Sequence, residues 1–117
     1  IASRAVEQLK IHFGANPADL RVAIGPCIRE CCYEVGAEVA CQFQEFFPEW
    51  LASAQTVSHK RIDLAETNRR ILLSTGVSPA HIYDCRLCTS CHPADFFSYR
   101  RNREDHGRMI SFIKRES

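Results

Sequence analysis

Leu20-Arg21-Val22-Ala23-Ile24-Gly25-Pro26-Cys27 is the stretch on which the fold turns. Val22 and Ile24 share one face of an extended segment, so Leu20–Ile24 reads as a short strand that Gly25-Pro26 ends. Cys27 then stands at the carboxyl end of that strand, where open α/β sheets bind their ligands. Upstream, Ala2, Ala5, Val6, Leu9 and Phe13 recur at helical spacing, and Gly14 with Asn16-Pro17 closes a helix over residues 2–13. Downstream come a loop from Cys27 to Cys32 and an extended piece, Tyr33-Glu34-Val35. A second helix follows from Gly36 to about Phe47, with Val39, Phe43, Phe46 and Phe47 on one stripe and Pro48 as its stop.

Residues 49–60 are weakly patterned and read as a loop with a short strand near Thr56–Ser58. Asp63 looks like a helix N-cap with Glu66 as its capping-box partner. Leu64, Ile71 and Leu72 form the buried stripe of this third helix; Asn68 shares that stripe, as a buried amide with partners or as a helix-edge residue, and Gly76 is the cap at the far end. Ile82–Arg86, Phe96–Arg101 and Met109–Ile113 read as strands. The fold class is therefore α/β, with mixed helices and strands and no repeat.

The chain has 117 residues, 45% of them hydrophobic, and a formal net charge of +1. That length suits one domain with a modest core. The charge balance gives no reason to expect nucleic acid, and no apolar run is long enough to span a membrane. With no secretion signal at its start, the expectation is a cytoplasmic protein with reduced thiols. The chain opens at Ile1 rather than a methionine, so residues upstream are expected. Its basic side chains gather at the C-terminal end, where Arg100, Arg101, Arg103, Arg108, Lys114 and Arg115 outnumber Glu104, Asp105 and Glu116. Such an end can hold a phosphate-bearing ligand, or form no more than a solvated face.

Seven cysteines cannot all pair within one chain. Cys88-Thr89-Ser90-Cys91-His92 has the form of a c-type haem attachment site, with Met109 a conceivable axial ligand, but such sites belong to exported proteins. Cys85, Cys88 and Cys91 begin a ferredoxin-like run, which Asp95 breaks where the next cysteine would stand. A zinc site could combine Cys88, Cys91 and His92 with one of Cys27, Cys31 or Cys32. Cys85 and Cys41 read as core packing. Cys27 is a candidate for lining a pocket. If Phe96–Arg101 is a strand, Phe96, Ser98 and Arg100 face one way and Phe97, Tyr99 and Arg101 the other. An arginine there could clamp a phosphate while a ring stacks on a base, or the rings could simply pack across strands.

Taken together, Gly25-Pro26-Cys27-Ile28, Cys32-Tyr33-Glu34-Val35-Gly36, Asp63-Leu64 with Asn68, Cys88-Thr89, Phe96-Phe97-Ser98-Tyr99-Arg100-Arg101 and Gly107-Arg108-Met109 resemble the bacterial laccase-domain proteins. That family was long described as polyphenol oxidases and is now regarded as purine nucleoside phosphorylases. The likeness runs from near residue 1 to about residue 113. It implies packed mixed β-sheets flanked by helices, here as a partial fold: residues 1–117 as the C-terminal part of a single domain lacking its N-terminal half. It further implies zinc-dependent phosphorolysis of adenosine, inosine, guanosine or methylthioadenosine, with adenosine deamination as a second activity.

The family's zinc is held by two histidines and a cysteine in upstream Val-His-Gly, Ala-Asp-Cys and His-Ala-Gly-Trp segments. This chain contains none of them, so neither catalytic nor metal-binding residues are expected here, and the fragment alone is expected to be inactive. The chain also lacks a His-x-His pair of the kind copper sites use. The expected partners are a purine nucleoside and phosphate in the full-length protein, with homo-oligomerisation possible and neither nucleic acid nor membrane involved. Arg100, as a pocket-framing cation, with Tyr99, Phe97 and Cys27 as wall, are the substrate-binding candidates. Two other readings stand beside this one: a zinc-binding module built on Cys88, Cys91 and His92, and a non-catalytic fragment that oligomerises through uncovered sheet surface.

Overall fold

The computed structural model describes residues 1–48, 61–104 and 107–114. The strand expected near Thr56–Ser58 lies outside them. Among the described residues three α-helices, α1 (Ala2–Phe13), α2 (Ala37–Phe46) and α3 (Leu64–Ser74), accompany two strands, β1 (Val22–Ile24) and β2 (Ile82–Asp84). Each expected helix is present. Gly14 closes α1 at φ 63, a left-handed conformation that costs glycine nothing; its N–H reaches back to the Lys10 carbonyl and the Ala15 N–H to that of Leu9. Gly76 does the same work one residue beyond Thr75, the C-cap of α3, at φ 95.

Asp63 caps α3 as its sequence position predicts, its Oδ1 accepting the Glu66 N–H at 2.9 Å. The Glu66 carboxylate does not complete a capping box. It turns along the helix to Arg70 at 2.9 Å and Arg69 at 3.4 Å, pairs one turn away on the same face. Asn68 takes the helix-edge alternative: it is exposed, and its Nδ2 donates to the Leu64 carbonyl at 2.9 Å. Asp63→Ala should leave an orphaned amide at the start of α3 and cost about 1 kcal/mol. Urea denaturation at constant m-value checks this, and a change within experimental scatter would mean that the cap is redundant.

β1 and β2 pair in parallel, Val22 opposite Ile82 and Ile24 opposite Asp84. Parallel pairing needs a crossover, and α3 falls within the connection and packs back against α1. The buried cluster is Val6 of α1, Leu72 of α3 and Val77, with Ala2, Leu20, Val22 and Ile82 packed against it. A second contact joins the piece after the Cys27–Cys32 loop to the entry of α3. There the backbones of Glu34 and Arg61 form an isolated antiparallel β-bridge, the Ile62 N–H donates to the Tyr33 carbonyl at 3.2 Å, and Val35 and Ile62 are buried.

Several expected core positions are open. Phe13 of α1 is 79% exposed and Phe46 of α2 78% exposed. Cys41 and Cys85, expected in the core, are exposed as well. On the sheet, Val22, Ile24, Ile82 and Asp84 are half-buried while Ala23 and Tyr83 face solvent. Parallel sheets are ordinarily covered on both faces, and this one is covered on one. The radius of gyration, 16.0 Å, exceeds the roughly 13 Å of a self-contained domain of this length.

Two expected strands are not formed. Residues 96–101 fold back as a turn, the Arg101 and Asn102 amides donating to the Ser98 carbonyl at 3.1 and 3.0 Å. Ser98 is buried, and its hydroxyl also accepts the Arg101 N–H, a local bond that competes with extended structure. Met109–Ile113 reads as a strand in sequence but pairs with nothing among the described residues. Ile110, Phe112 and Ile113 stand in solvent.

Candidate functional site

The loops that leave β1 and β2 emerge side by side because the strands are parallel. The pairing is prolonged beyond the strands: the Cys85 N–H donates to the Ile24 carbonyl at 3.1 Å, Cys27 N–H to Leu87 at 3.3 Å, and Thr89 N–H to Cys27 at 3.1 Å. Cys27 and Cys88 thus face each other as a parallel bridge. Arg29 of the first loop reaches across to Asp84 at the end of β2, with bonds of 2.9 and 2.8 Å to its two carboxylate oxygens. This forked pair is largely shielded from solvent. The Arg29 bond holds the Asp84 carboxyl below its usual range, against the opposing effect of burial. Asp84 also accepts the amide of Arg86, the residue that turns the chain at φ 57.

Beyond this clasp, four sulfurs converge. The Sγ atoms of Cys31, Cys32, Cys88 and Cys91 all lie within 4.8 Å of one another. Cys91 approaches Cys32 at 3.4 Å and Cys31 at 3.6 Å. Each pair is set by its own turn, the Cys32 and Tyr33 amides closing on the Arg29 carbonyl and the Cys91 amide on the Cys88 carbonyl. Cys88 is the buried member. Burial raises its thiol, but the amides of Arg29, Cys91 and Ser90 and a bond from Cys31 outweigh this and leave it lowered. Cys31 is raised, first by burial and then by its bonds to Cys88, Cys91 and Cys32.

His92, expected beside Cys88 and Cys91, stays out of the group. Its Nδ1 is bonded to the Cys88 carbonyl at 2.9 Å and its ring meets Phe96 edge-on. Among the described residues this is the sole cluster of three or more potential metal donors, and it contains no histidine. It therefore does not fit the two-histidine, one-cysteine zinc set that the resemblance implies.

The substrate-binding candidates lie apart from this cluster or at its border. Cys27 is half-buried, with Arg29 NH1 at 4.0 Å from its sulfur. Burial pushes its thiol up, the Arg29 bond opposes this only in part, and the group is a poor nucleophile as it stands. Arg100 is exposed and lies over the Tyr33 ring, 4.9 Å from its centroid. Tyr99 projects into solvent. The Phe97 ring rests directly on Gly107, where it fills the space a Cβ would need. Pro93, Ala94, Asp95, Phe96, Phe97 and Arg101 line a groove of about 230 Å³; of the candidates, only Phe97 contributes to it.

Arg101 is the arginine that the turn draws inward, donating to the carbonyls of Thr89 at 2.9 Å, Ser90 at 3.4 Å and Phe96 at 3.1 Å. The sequence reading gave no role to Arg29 or Asp84, and weighed Arg101 only as one of two arginines that could clamp a phosphate. The available signal was that a Cys-Cys pair and a Cys-x-x-Cys pair each follow a short strand, and parallel pairing would bring both to one end of the sheet.

These features define a helix-backed parallel β pair whose loops are clasped at the carboxyl end, in a fold whose second face is open. Residues 1–116 match the family described as multi-copper polyphenol oxidoreductase laccase, and the chain belongs to that family. The purine nucleoside phosphorylase YlmD of Geobacillus stearothermophilus is 42% identical over 104 residues, covering 85% of this chain and 37% of that protein. The human purine nucleoside phosphorylase LACC1 is 31% identical over 97% of this chain and 27% of its own length. An adenosine deaminase, RL5, from an unknown prokaryote is 32% identical over 99% of this chain and 45% of its own. The crystal structure of the Geobacillus YlmD superposes with a TM-score of 0.76 at 36% identity, over 92% of this chain and 41% of that one. The chain thus spans less than half the length of each of these relatives. The α/β class is shared with these structures, and no helix among the described residues is long and apolar enough to cross a membrane.

Proposed function

We propose that residues 1–117 are the C-terminal part of a single catalytic domain of a cytoplasmic purine nucleoside phosphorylase. The observation that carries this reading is the match of residues 1–116 to the family, with relatives named for that activity aligned across nearly all of the chain. The uncovered sheet face and the exposed Phe13, Phe46 and Tyr83 support it, because they are surfaces that a further layer of the same domain would bury.

In phosphorolysis a phosphate oxygen bonds to the anomeric carbon of the nucleoside. The carbon–nitrogen glycosidic bond breaks, its electron pair leaves with the purine, and the purine takes up a proton. The products are the free base and ribose 1-phosphate. Such a site needs cations to hold the phosphate while charge develops. Arg100 is the candidate here: its guanidinium stacks on Tyr33 and is not engaged in an ion pair among the described residues. Tyr99, Phe97 and Cys27 are the proposed wall. The zinc of this reading takes its ligands from upstream segments, and the adenosine deaminase among the relatives suggests deamination as a second reaction.

Incubating the complete protein that carries this chain with adenosine, inosine, guanosine or methylthioadenosine and phosphate tests the reading. Free base and a pentose 1-phosphate should form, and only when phosphate is present. A folded protein that releases no base overturns it. Arg100→Ala should raise the KM for phosphate roughly 10- to 100-fold, the range for losing one charge-assisted bond, with a smaller change in the KM for nucleoside. Unchanged phosphate saturation would remove Arg100 from the site.

A further inference from the structure

We infer that Cys31, Cys32, Cys88 and Cys91 bind one zinc ion as a closed tetrathiolate that staples the loop after β1 to the loop after β2. The inference rests on these four residues alone and does not depend on the phosphorylase reading. The spacing fits. Four sulfurs at about 2.3 Å from a tetrahedral zinc lie about 3.8 Å from one another. The sulfurs here are all within 4.8 Å, with closest approaches of 3.4 and 3.6 Å. All seven cysteines are free thiols, so no disulfide competes for these sulfurs.

In a four-iron cluster each cysteine binds a different iron and points away from the others, so the sulfurs stand far apart. The tight group seen here has room for a single ion. Four soft thiolates in that arrangement select zinc over the hard cations. Each ligand pair is also held by its own turn, the Cys32 amide donating to the Arg29 carbonyl at 2.9 Å and the Cys91 amide to the Cys88 carbonyl at 3.2 Å. Arg101 adds a positive charge against the Thr89 and Ser90 carbonyls, inside the Cys-x-x-Cys turn.

Binding exchanges the thiol protons for the metal. One zinc ion and four thiols give a tetrathiolate and release four protons to solvent, with no change of oxidation state. Four protein ligands leave no position for water, so the ion is structural. Its effect is to fix the carboxyl ends of β1 and β2, where Cys27 lies.

The test is metal analysis of the chain purified under reducing conditions, without chelator and without a metal-affinity step. About one equivalent of zinc per chain is expected. Cobalt substitution should give the intense visible bands and thiolate charge-transfer absorption of a tetrahedral tetrathiolate. Cys31→Ser and Cys91→Ser alter exposed members of the group, and each should weaken zinc retention at least tenfold in a competition with a chromophoric chelator. His92→Asn, Cys41→Ser and Cys85→Ser should retain it. Circular dichroism of each variant separates loss of metal from loss of fold. If the complete protein is used, the zinc that Cys31→Ser releases is counted against the wild type, and nucleoside cleavage is followed separately.

Three results would overturn the assignment: a folded wild-type chain that takes up no zinc when challenged with it, a single iron in its place, or zinc retained by Cys91→Ser. A failed phosphorolysis assay would leave it standing.

Discussion

Leu72→Ala should destabilise this chain by about 2–5 kcal/mol, enough to unfold much of the population of a protein whose total stability is of the same order. The reason lies in how little core there is. Leu72 sits between Val6 and Val77, against half-buried Ala2, Leu20, Val22 and Ile82, and among the described residues no large side chain is wholly shut off from water. Removing the isobutyl group opens a hole where α1, α3 and the sheet meet, and the other buried aliphatic residues among those described, Val35, Ile62 and Ala65, lie outside this cluster. Urea titration followed by far-ultraviolet circular dichroism measures the effect. A loss below about 1 kcal/mol would show that the helices are held together elsewhere.

Arg29→Ala should act on the clasp and show a pH signature. The forked bonds to Asp84 are neither fully buried nor open, and their loss should cost roughly 2 kcal/mol at neutral pH, between the values for exposed and buried pairs. Because Asp84 is held below its ordinary carboxyl value in the folded chain, the stability linked to it is complete above about pH 4. It is lost as the pH falls through the lower, folded value. The difference between wild type and Arg29→Ala should therefore be full at pH 7 and shrink below pH 4. A difference that grows on acidification would mean that Asp84 does not carry the pair.

The helices were legible because their signals are local. The spacing of Ala2, Val6 and Leu9, the capping carboxylate of Asp63 and the left-handed glycines at 14 and 76 each act within a few residues of themselves. Strands are relations between segments, and there the sequence misleads. Met109–Ile113 is apolar enough for a strand but has no neighbour to pair with among the described residues. Phe96–Arg101 alternates, yet Ser98 offers the backbone a nearer partner.

The same distinction governs the cysteines. Cys88-x-x-Cys91 announces itself by spacing, and His92 beside it looked like the natural third donor. The other sulfurs come from positions some 60 residues earlier, and only the parallel pairing of β1 and β2 puts them there. His92 is diverted because its ring nitrogen finds the Cys88 carbonyl within its own turn.

Asp84 binds Arg29 through both of its oxygens and the Arg86 amide through one of them. The segments that follow β1 and β2 are therefore locked to a shared carboxylate and must be inherited as a set. A chimera whose breakpoint lies between them, taking one segment from a relative with a different partner there, would strand either a guanidinium or a carboxylate. Grafts designed on this scaffold should carry both segments across together.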